Sequence, residues 1–290
     1  MEGRLEGSAA VEPPIDVLAP LEQTLPLVLA SPHSGAEYPP DFVAASRLDA
    51  QSLRRSEDCF VDEIFSGAAE LGAPLLRARF ARAYVDPNRE AFELDPAMFE
   101  DVLPAYVNQA SPRVRAGLGT IARIVSSGED IYAGKLRFED AIHRIDRLWR
   151  PYHRALTQLV EATQARFGYY LLLDCHSMPS AADRGRSRMD IVLGDSHGAS
   201  CHALVSETAQ KFLAARGYAV TRNAPYAGGF TTVHYGRPGE GGHALQIEIN
   251  RSLYMNERTM ERKPGLAGVA ADMAELAATL AALPPDLLAA

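Results

Sequence analysis

An α/β fold is what the 290-residue sequence predicts, because short apolar runs alternate with longer amphipathic ones along its length. The apolar runs are also continuous, as in YYLLLD and ALQIEI, instead of alternating with polar residues. A strand wetted on one face alternates, so these are expected in a sheet covered on both sides.

Strands are predicted at 25–30, 74–78, 169–173, 190–193, 218–222 and 244–249. A helix over 59–71 places Phe60, Ile64 and Phe65 on one side, with Gly72 as its stop signal. The longest helical pattern spans 137–166, with an apolar stripe through Ile142, Ile145, Trp149, Tyr152, Leu156 and Val160. Pro151 falls inside it, which predicts a kink or two successive helices. Further helices are expected at 202–215 and 265–280. Two stretches, 86–134 and 223–242, read as long loops, the first with short elements in it. A loop of that length in a compact domain is usually functional or disordered. With no internal repeat or low-complexity linker, one catalytic domain over 21–290 is expected behind a flexible tail, 1–20.

The chain is 47% apolar and 23% charged, with 37 acidic against 29 basic residues and a formal net charge of −8. That balance argues against a nucleic-acid partner, although it leaves room for a locally positive pocket. Cys59, Cys175 and Cys201 are an odd number with no CxxC pair, so neither a disulfide framework nor a four-cysteine zinc site is expected. No run approaches the roughly 20 apolar residues of a membrane span, and the N-terminus lacks the order of a signal peptide. A soluble cytoplasmic protein with no membrane partner, monomeric or a small homo-oligomer, is the expectation.

Chemistry has to come from particular residues. LVLASPHSG and YYLLLDCHSM share one form, an apolar strand whose C-terminal end carries a histidine followed by serine: His33–Ser34 and His176–Ser177. In α/β sheets that edge is where ligands bind. Paired imidazoles suit zinc, and a catalytic zinc site needs a third protein ligand. Glu57 or Asp58, at the start of the helix predicted from Cys59, could supply it, or could simply cap that helix. In HALQIEIN, alternation puts Gln246, Glu248 and Asn250 on one face. A carboxylate in so apolar a strand needs a partner. Glu248 is therefore either a general base beside a metal or the ion-pair partner of Arg251 or another arginine. ARAYVDPNRE supplies Arg82, Asp86, Asn88 and Arg89, whose amide and guanidinium donors match a carboxylate, although DPN is also a plain turn sequence. His143 and His153 lie on the long helix and read as surface or packing residues, and His197 and His202 show no ligand spacing. HExxH, GxSxG, GxxxxGK[ST] and strand-linked GxGxxG are all absent.

Taken in order, SPHSG, EDCFVDEIF, RAYVDPNR, LLLDCHS, AGGFTTVHYG and LQIEINRSLYM resemble the N-formylglutamate amidohydrolase family. That family is similar in architecture to zinc carboxypeptidases, so the resemblance implies a three-layer α/β fold. In it a central mixed, mostly parallel sheet is flanked by helices, with one zinc per chain at the strand ends. The resemblance also implies His33, Asp58 and His176 as metal ligands and Glu248 as catalytic base. Arg82, Asn88 and Arg89 are implied to hold a substrate carboxylate. Thr232 and Tyr235 are implied to line the pocket, and His234 to help at the reacting carbonyl. Where the family commonly reads Asp-Thr-Asp-Trp, this chain reads Ser56-Glu57-Asp58-Cys59, which makes Glu57 a competing ligand. The implied reaction is zinc-dependent hydrolysis of an N-acyl amino acid, foremost an N-formyl one such as N-formyl-L-glutamate. Alternatives on the same fold are a zinc peptidase, another deacylase, or a non-catalytic binder of an amino-acid derivative. The expected partner is thus a small anionic molecule.

Overall fold

The apolar runs of the sequence become the strands of one seven-stranded sheet. The computed structural model describes residues 13–180 and 189–289. Strands β1 (Ile15–Leu18), β2 (Leu27–Ser31), β3 (Leu75–Ala78), β4 (Tyr170–Met178), β5 (Ile191–Gly194), β6 (Val220–Arg222) and β7 (Gly242–Asn250) lie in the order β1-β3-β2-β4-β7-β5-β6. The central four, β3, β2, β4 and β7, are parallel to one another, whereas β1 pairs antiparallel with β3 and β5 antiparallel with β7, β6 running parallel to β5.

Both faces are covered, as the continuous runs require. Leu29, Leu173 and Ile247 point to one side. There they pack on Ile64 of α3 (Val61–Phe65), Val205 of α8 (Ala203–Ala215) and Met273 of α10 (Gly265–Ala281). Val28, Leu172 and Ala244 point to the other, against Tyr152 and Leu156 of α7 (Arg150–Phe167) and the apolar residues of the 80–132 segment. This is the expected three-layer α/β architecture with a mixed, mostly parallel sheet. No helix among the described residues is long and apolar enough to cross a membrane.

The structure departs from the sequence reading in two places and shows at a third the interrupted helix that Pro151 predicts. Residues 15–18, read as part of the tail, form the edge strand β1 in register with β3, where the Asp16 carboxylate accepts from Arg77 at 3.0 Å. Four residues are too few for alternation to show, and pairing with β3 is what orders them. Residues 1–12 of that tail lie outside the described residues. The helix predicted at 59–71 is two helices, α3 and α4 (Ala68–Leu71). The Ser66 hydroxyl donates to the Glu63 carbonyl at 2.8 Å and so competes with the helical ladder at the break. Gly72, at φ 98°, ends α4 as read. Within 137–166 the chain runs through α6 (Phe138–Arg144), one π turn (Ile145–Trp149) and α7. Pro151 has no N–H to give to a regular ladder, and the wider turn immediately before it absorbs the mismatch.

The long loops contain little regular structure: α5 (Pro112–Arg115) in the first and α9 (Phe230–Tyr235) in the second. Both lie over the C-terminal ends of β2, β4 and β7.

Candidate metal centre and active site

The site begins with strand register. His176 on β4 and Glu248 on β7 are direct neighbours, as are Asp174 and Gln246. Registered residues on adjacent strands project to the same face, so these four side chains rise together. His33 lies just beyond β2, and its carbonyl accepts the Asp58 N–H at 3.0 Å, which joins the start of the α3 segment to the end of β2.

His33, Asp58 and His176 are all buried, and their potential ligand atoms lie within 4.8 Å of one another. Asp58 Oδ2 stands 3.3 Å from His33 Nδ1 and 3.1 Å from His176 Nδ1. Its other oxygen accepts from the Ser177 hydroxyl at 3.0 Å and Arg251 Nη2 at 3.0 Å, which fixes the carboxylate plane. Each imidazole is anchored from behind: His33 Nε2 donates to Asp86 Oδ1 at 2.7 Å, and His176 Nε2 donates to Asp174 Oδ1 at 2.8 Å. A carboxylate behind an imidazole sets its tautomer and leaves the other nitrogen as a lone-pair donor. His33 Nδ1 is buried and has no hydrogen-bond partner. A buried lone pair without a partner carries a cost that a cation removes.

Electrostatics agree with that geometry. Burial alone would raise the pKa of Asp58, but the flanking His176 and His33 imidazoles hold it well below the usual carboxylate range. Burial would lower His176, yet the Asp174 and Asp58 carboxylates hold it well above its ordinary value. The cluster favours positive charge at its centre. Two nitrogens and one carboxylate oxygen are a donor set that zinc accepts.

Glu248 differs from every other acid here. Its one hydrogen bond among the described residues is from Gln246 Nε2 at 3.0 Å, and burial pushes its pKa up to about 8, against the opposing pull of His176. Arg251, the alternative partner, is directed to Asp58 instead. Glu57 is directed elsewhere too: its oxygens accept from Tyr38 at 2.6 Å, Arg54 at 3.1 Å and the Cys59 thiol at 3.1 Å.

A cavity of about 440 Å³ opens over these groups. Its strand side presents His33, His176, Gln246 and Glu248, and its loop side Arg82, Arg89, Arg113, Tyr226 and Gly229. Arg82 Nη2 pairs with Asp86 Oδ2 at 2.8 Å. Arg89 is held by the carbonyls of Leu118 at 2.8 Å and Asn88 at 2.7 Å. Burial, together with the guanidinium groups of Arg82 and Arg113 and despite Asp86, lowers its pKa. Asn88 lines the cavity with its amide engaged: Oδ1 accepts the Thr231 N–H at 2.8 Å, and Nδ2 is 3.5 Å from Asp174 Oδ2. A Cβ on Gly229 would sit 2.3 Å from that amide, so only glycine lets the loop lie against Asn88.

Three residues expected at the pocket lie elsewhere. The AGGFTTVHYG segment coils into α9, and its helical period turns alternate side chains away from the cavity. Thr232 is buried beneath the centre and donates to Asp174 Oδ2 at 3.2 Å. Tyr235 is buried against α7, with its hydroxyl 3.0 Å from His153 Nδ1. His234 is half-buried, stacked on Phe230 with ring centroids 4.8 Å apart, and borders other hollows of the surface. Conversely, the reading gave no role to Asp86 and Asp174 behind the imidazoles, to Ser177 and Arg251 on Asp58, or to Arg113. Asp174 was legible, since it precedes His176 by the strand period of two. Arg113 sits in an irregular segment with no local signal.

Fold and site together define a three-layer α/β protein with a candidate metal centre at the C-terminal ends of its parallel strands, and comparison with known proteins gives its class, a hydrolase acting on an amide bond. Residues 25–255 match the model of the N-formylglutamate amidohydrolase family. The N-formylglutamate deformylase of Pseudomonas aeruginosa is 30% identical over 249 residues, covering 84% of this chain and 87% of that protein. That of Pseudomonas putida is 30% identical over 238 residues, covering 80% and 83%. The crystal structure of N-formylglutamate amidohydrolase from Ralstonia eutropha superposes with a TM-score of 0.86 at 39% identity, covering 92% of this chain and 97% of that one. A gene product of Agrobacterium tumefaciens, 18% identical with a TM-score of 0.62, shares the fold. This chain belongs to the N-formylglutamate amidohydrolase family.

Proposed function

We propose that the chain hydrolyses N-formyl-L-glutamate to formate and L-glutamate, using one zinc ion held by His33 Nδ1, Asp58 Oδ2 and His176 Nδ1. The observation that carries this reading is the orientation of the two imidazoles: a carboxylate stands behind each, and their Nδ1 atoms face one oxygen of Asp58. When bound, zinc supplies Lewis acidity, acidifying water and polarising a carbonyl oxygen.

The chain's own residues do the rest. Glu248, raised toward neutrality by burial, takes a proton from the attacking water as oxygen adds to the formyl carbon. It then returns that proton to the leaving nitrogen as the C–N bond breaks, so the products are formate and a free amine. Gln246 holds the Glu248 carboxylate in place from the same strand face. Arg82 and Arg89 take the α-carboxylate, which lies one carbon from the amide nitrogen and must therefore bind close to the reacting centre. The buried, free cysteines Cys59, Cys175 and Cys201 suit a reducing compartment and a cytoplasmic enzyme.

The test is formate release from N-formyl-L-glutamate before and after dialysis against a chelator, with elemental analysis of the protein. Stoichiometric zinc, loss of turnover on its removal and recovery on its return are expected. Full turnover by metal-free protein would overturn the metal-assisted mechanism.

A further inference from the structure

Among the described residues, four guanidinium groups border the cavity, those of Arg82, Arg89, Arg113 and Arg251. Three are accounted for. Arg251 is committed to Asp58 and Ser177, each at 3.0 Å. Arg82 pairs with Asp86 at 2.8 Å, and Arg89, tied to two carbonyls, stands 3.7 Å from the same carboxylate. Arg113 has one hydrogen bond among the described residues, from Nη2 to the Gly228 carbonyl at 3.3 Å, and no carboxylate partner.

The segment that carries Arg113 is well anchored. The Ser111 hydroxyl accepts the Val114 N–H at 3.0 Å and is bound to the Glu93 carboxylate, while Val114 is buried. The Arg113 carbonyl accepts the Leu118 N–H at 2.8 Å, and the Leu118 carbonyl in turn holds Arg89 at 2.8 Å. The two arginines are therefore placed relative to each other through backbone. Arg113 also borders a neighbouring hollow shared with Glu90, Glu93, Phe230 and His234 but with neither His33 nor Asp86, so it stands on the side of the cavity away from the His33–Asp86 contact.

A glutamate substrate carries two carboxylates. The α-carboxylate adjoins the reacting amide, where Arg82 and Arg89 lie, and the side-chain carboxylate is two methylenes further out. Building on the reaction proposed above, we propose that Arg113 receives that side-chain carboxylate and selects a dicarboxylate over its neutral amide. Asp86 is shared by Arg82 at 2.8 Å and Arg89 at 3.7 Å, whereas Arg113 forms no ion pair with a carboxylate among the described residues, which leaves its charge for a ligand. A fork of guanidinium donors suits a planar carboxylate.

The experiment compares kcat/KM for N-formyl-L-glutamate and N-formyl-L-glutamine in wild type, Arg113→Gln and Arg113→Lys. The preference for the dicarboxylate is expected to fall about 10²-fold in Arg113→Gln, through KM, and less in Arg113→Lys, which keeps the charge without the fork. A role limited to clamping Gly228 would lower both substrates together and leave the ratio intact, which would overturn the proposal. Calorimetric binding of glutarate against butyrate separates this idea from the reaction itself. If wild type hydrolyses neither formyl compound, the proposed function fails. A glutarate preference that Arg113→Gln abolishes still upholds the anion site, and one that survives in the variant, or is missing from wild type, overturns it.

Discussion

On the strand side of the cavity the β4 and β7 side chains are placed by register; on the loop side the arginines are placed by hydrogen bonds. His176, Glu248, Asp174 and Gln246 project together because β4 and β7 pair residue for residue. Arg82, Arg89 and Arg113 occupy their positions because Asp86, the Leu118 and Asn88 carbonyls and the Gly228 carbonyl hold them. The first wall carries Glu248 and candidate metal ligands, and the second carries fixed positive charge. A reaction of this class needs the reacting groups set rigidly and the substrate's charges recognised, and the two walls divide that labour. Asp86 belongs to both, since one oxygen accepts from His33 at 2.7 Å and the other from Arg82 at 2.8 Å.

The sharpest way to break this division is kinetic. Glu248→Gln removes the proton carrier from the strand wall and should lower kcat by about 10³-fold with little change in KM. A raised carboxylate loses its base form as pH falls, so wild-type kcat/KM should drop on the acidic side of the Glu248 pKa. The residual rate of Glu248→Gln should lack that limb. Arg89→Ala acts on the loop wall and should instead raise KM about 10²-fold, with kcat falling less. Steady-state kinetics across pH read all three outcomes. Equal losses in kcat from both variants would erase the distinction between the walls.

The same division explains what the sequence made legible. Strand register is written in period-two alternation, so Gln246, Glu248 and Asn250 could be assigned to one face, and His33 and His176 to the strand ends, from the chain alone. Asp58 and Glu57 were indistinguishable because their choice depends on Tyr38, Arg54 and Cys59, which claim Glu57 in space. Loop-wall contacts join residues far apart in the chain, such as Arg113 with Gly228 and Asn88 with Thr231, and leave no local pattern. The Gly-rich segment misled for a related reason. Its glycines signal close approach, which Gly229 makes against Asn88, but its polar residues Thr232 and His234 fall on α9, where the helical period and not the loop decides their direction.

Metal retention gives a smaller effect that sharpens the comparison. Asp174→Asn weakens one imidazole's anchor on the strand side alone, and zinc affinity should fall about 10–100-fold with KM at saturating metal little changed. Asp86→Asn should weaken zinc by a similar factor and also raise KM, because Arg82 loses its partner. Competition with a chromophoric chelator and kinetics at saturating zinc separate the two. An Asp86→Asn variant with unaltered KM would show that Arg82 is held by something other than Asp86.

The smallest effect concerns the support beneath the loop wall. His153 of α7 is buried under the DPN turn, where its Nε2 donates to the Pro87 carbonyl at 2.7 Å and its Nδ1 accepts from the Tyr235 hydroxyl at 3.0 Å. Both nitrogens are thereby used by the neutral ring, and burial lowers its pKa to about 4 from 6.5. The folded state therefore binds this proton less readily than the unfolded chain does. Its contribution is fully present above pH 6.5 and is lost as the unfolded histidine protonates between 6.5 and 4. From pH 7 to pH 5 that loss amounts to about 2 kcal/mol. Glutamine offers one donor and one acceptor without a titrating group, so urea unfolding of His153→Gln should show a pH dependence shallower than wild type by about that amount over the same range. Parallel slopes for the two proteins would mean that His153 is charged in the folded state and that the Pro87 turn is supported by an imidazolium instead.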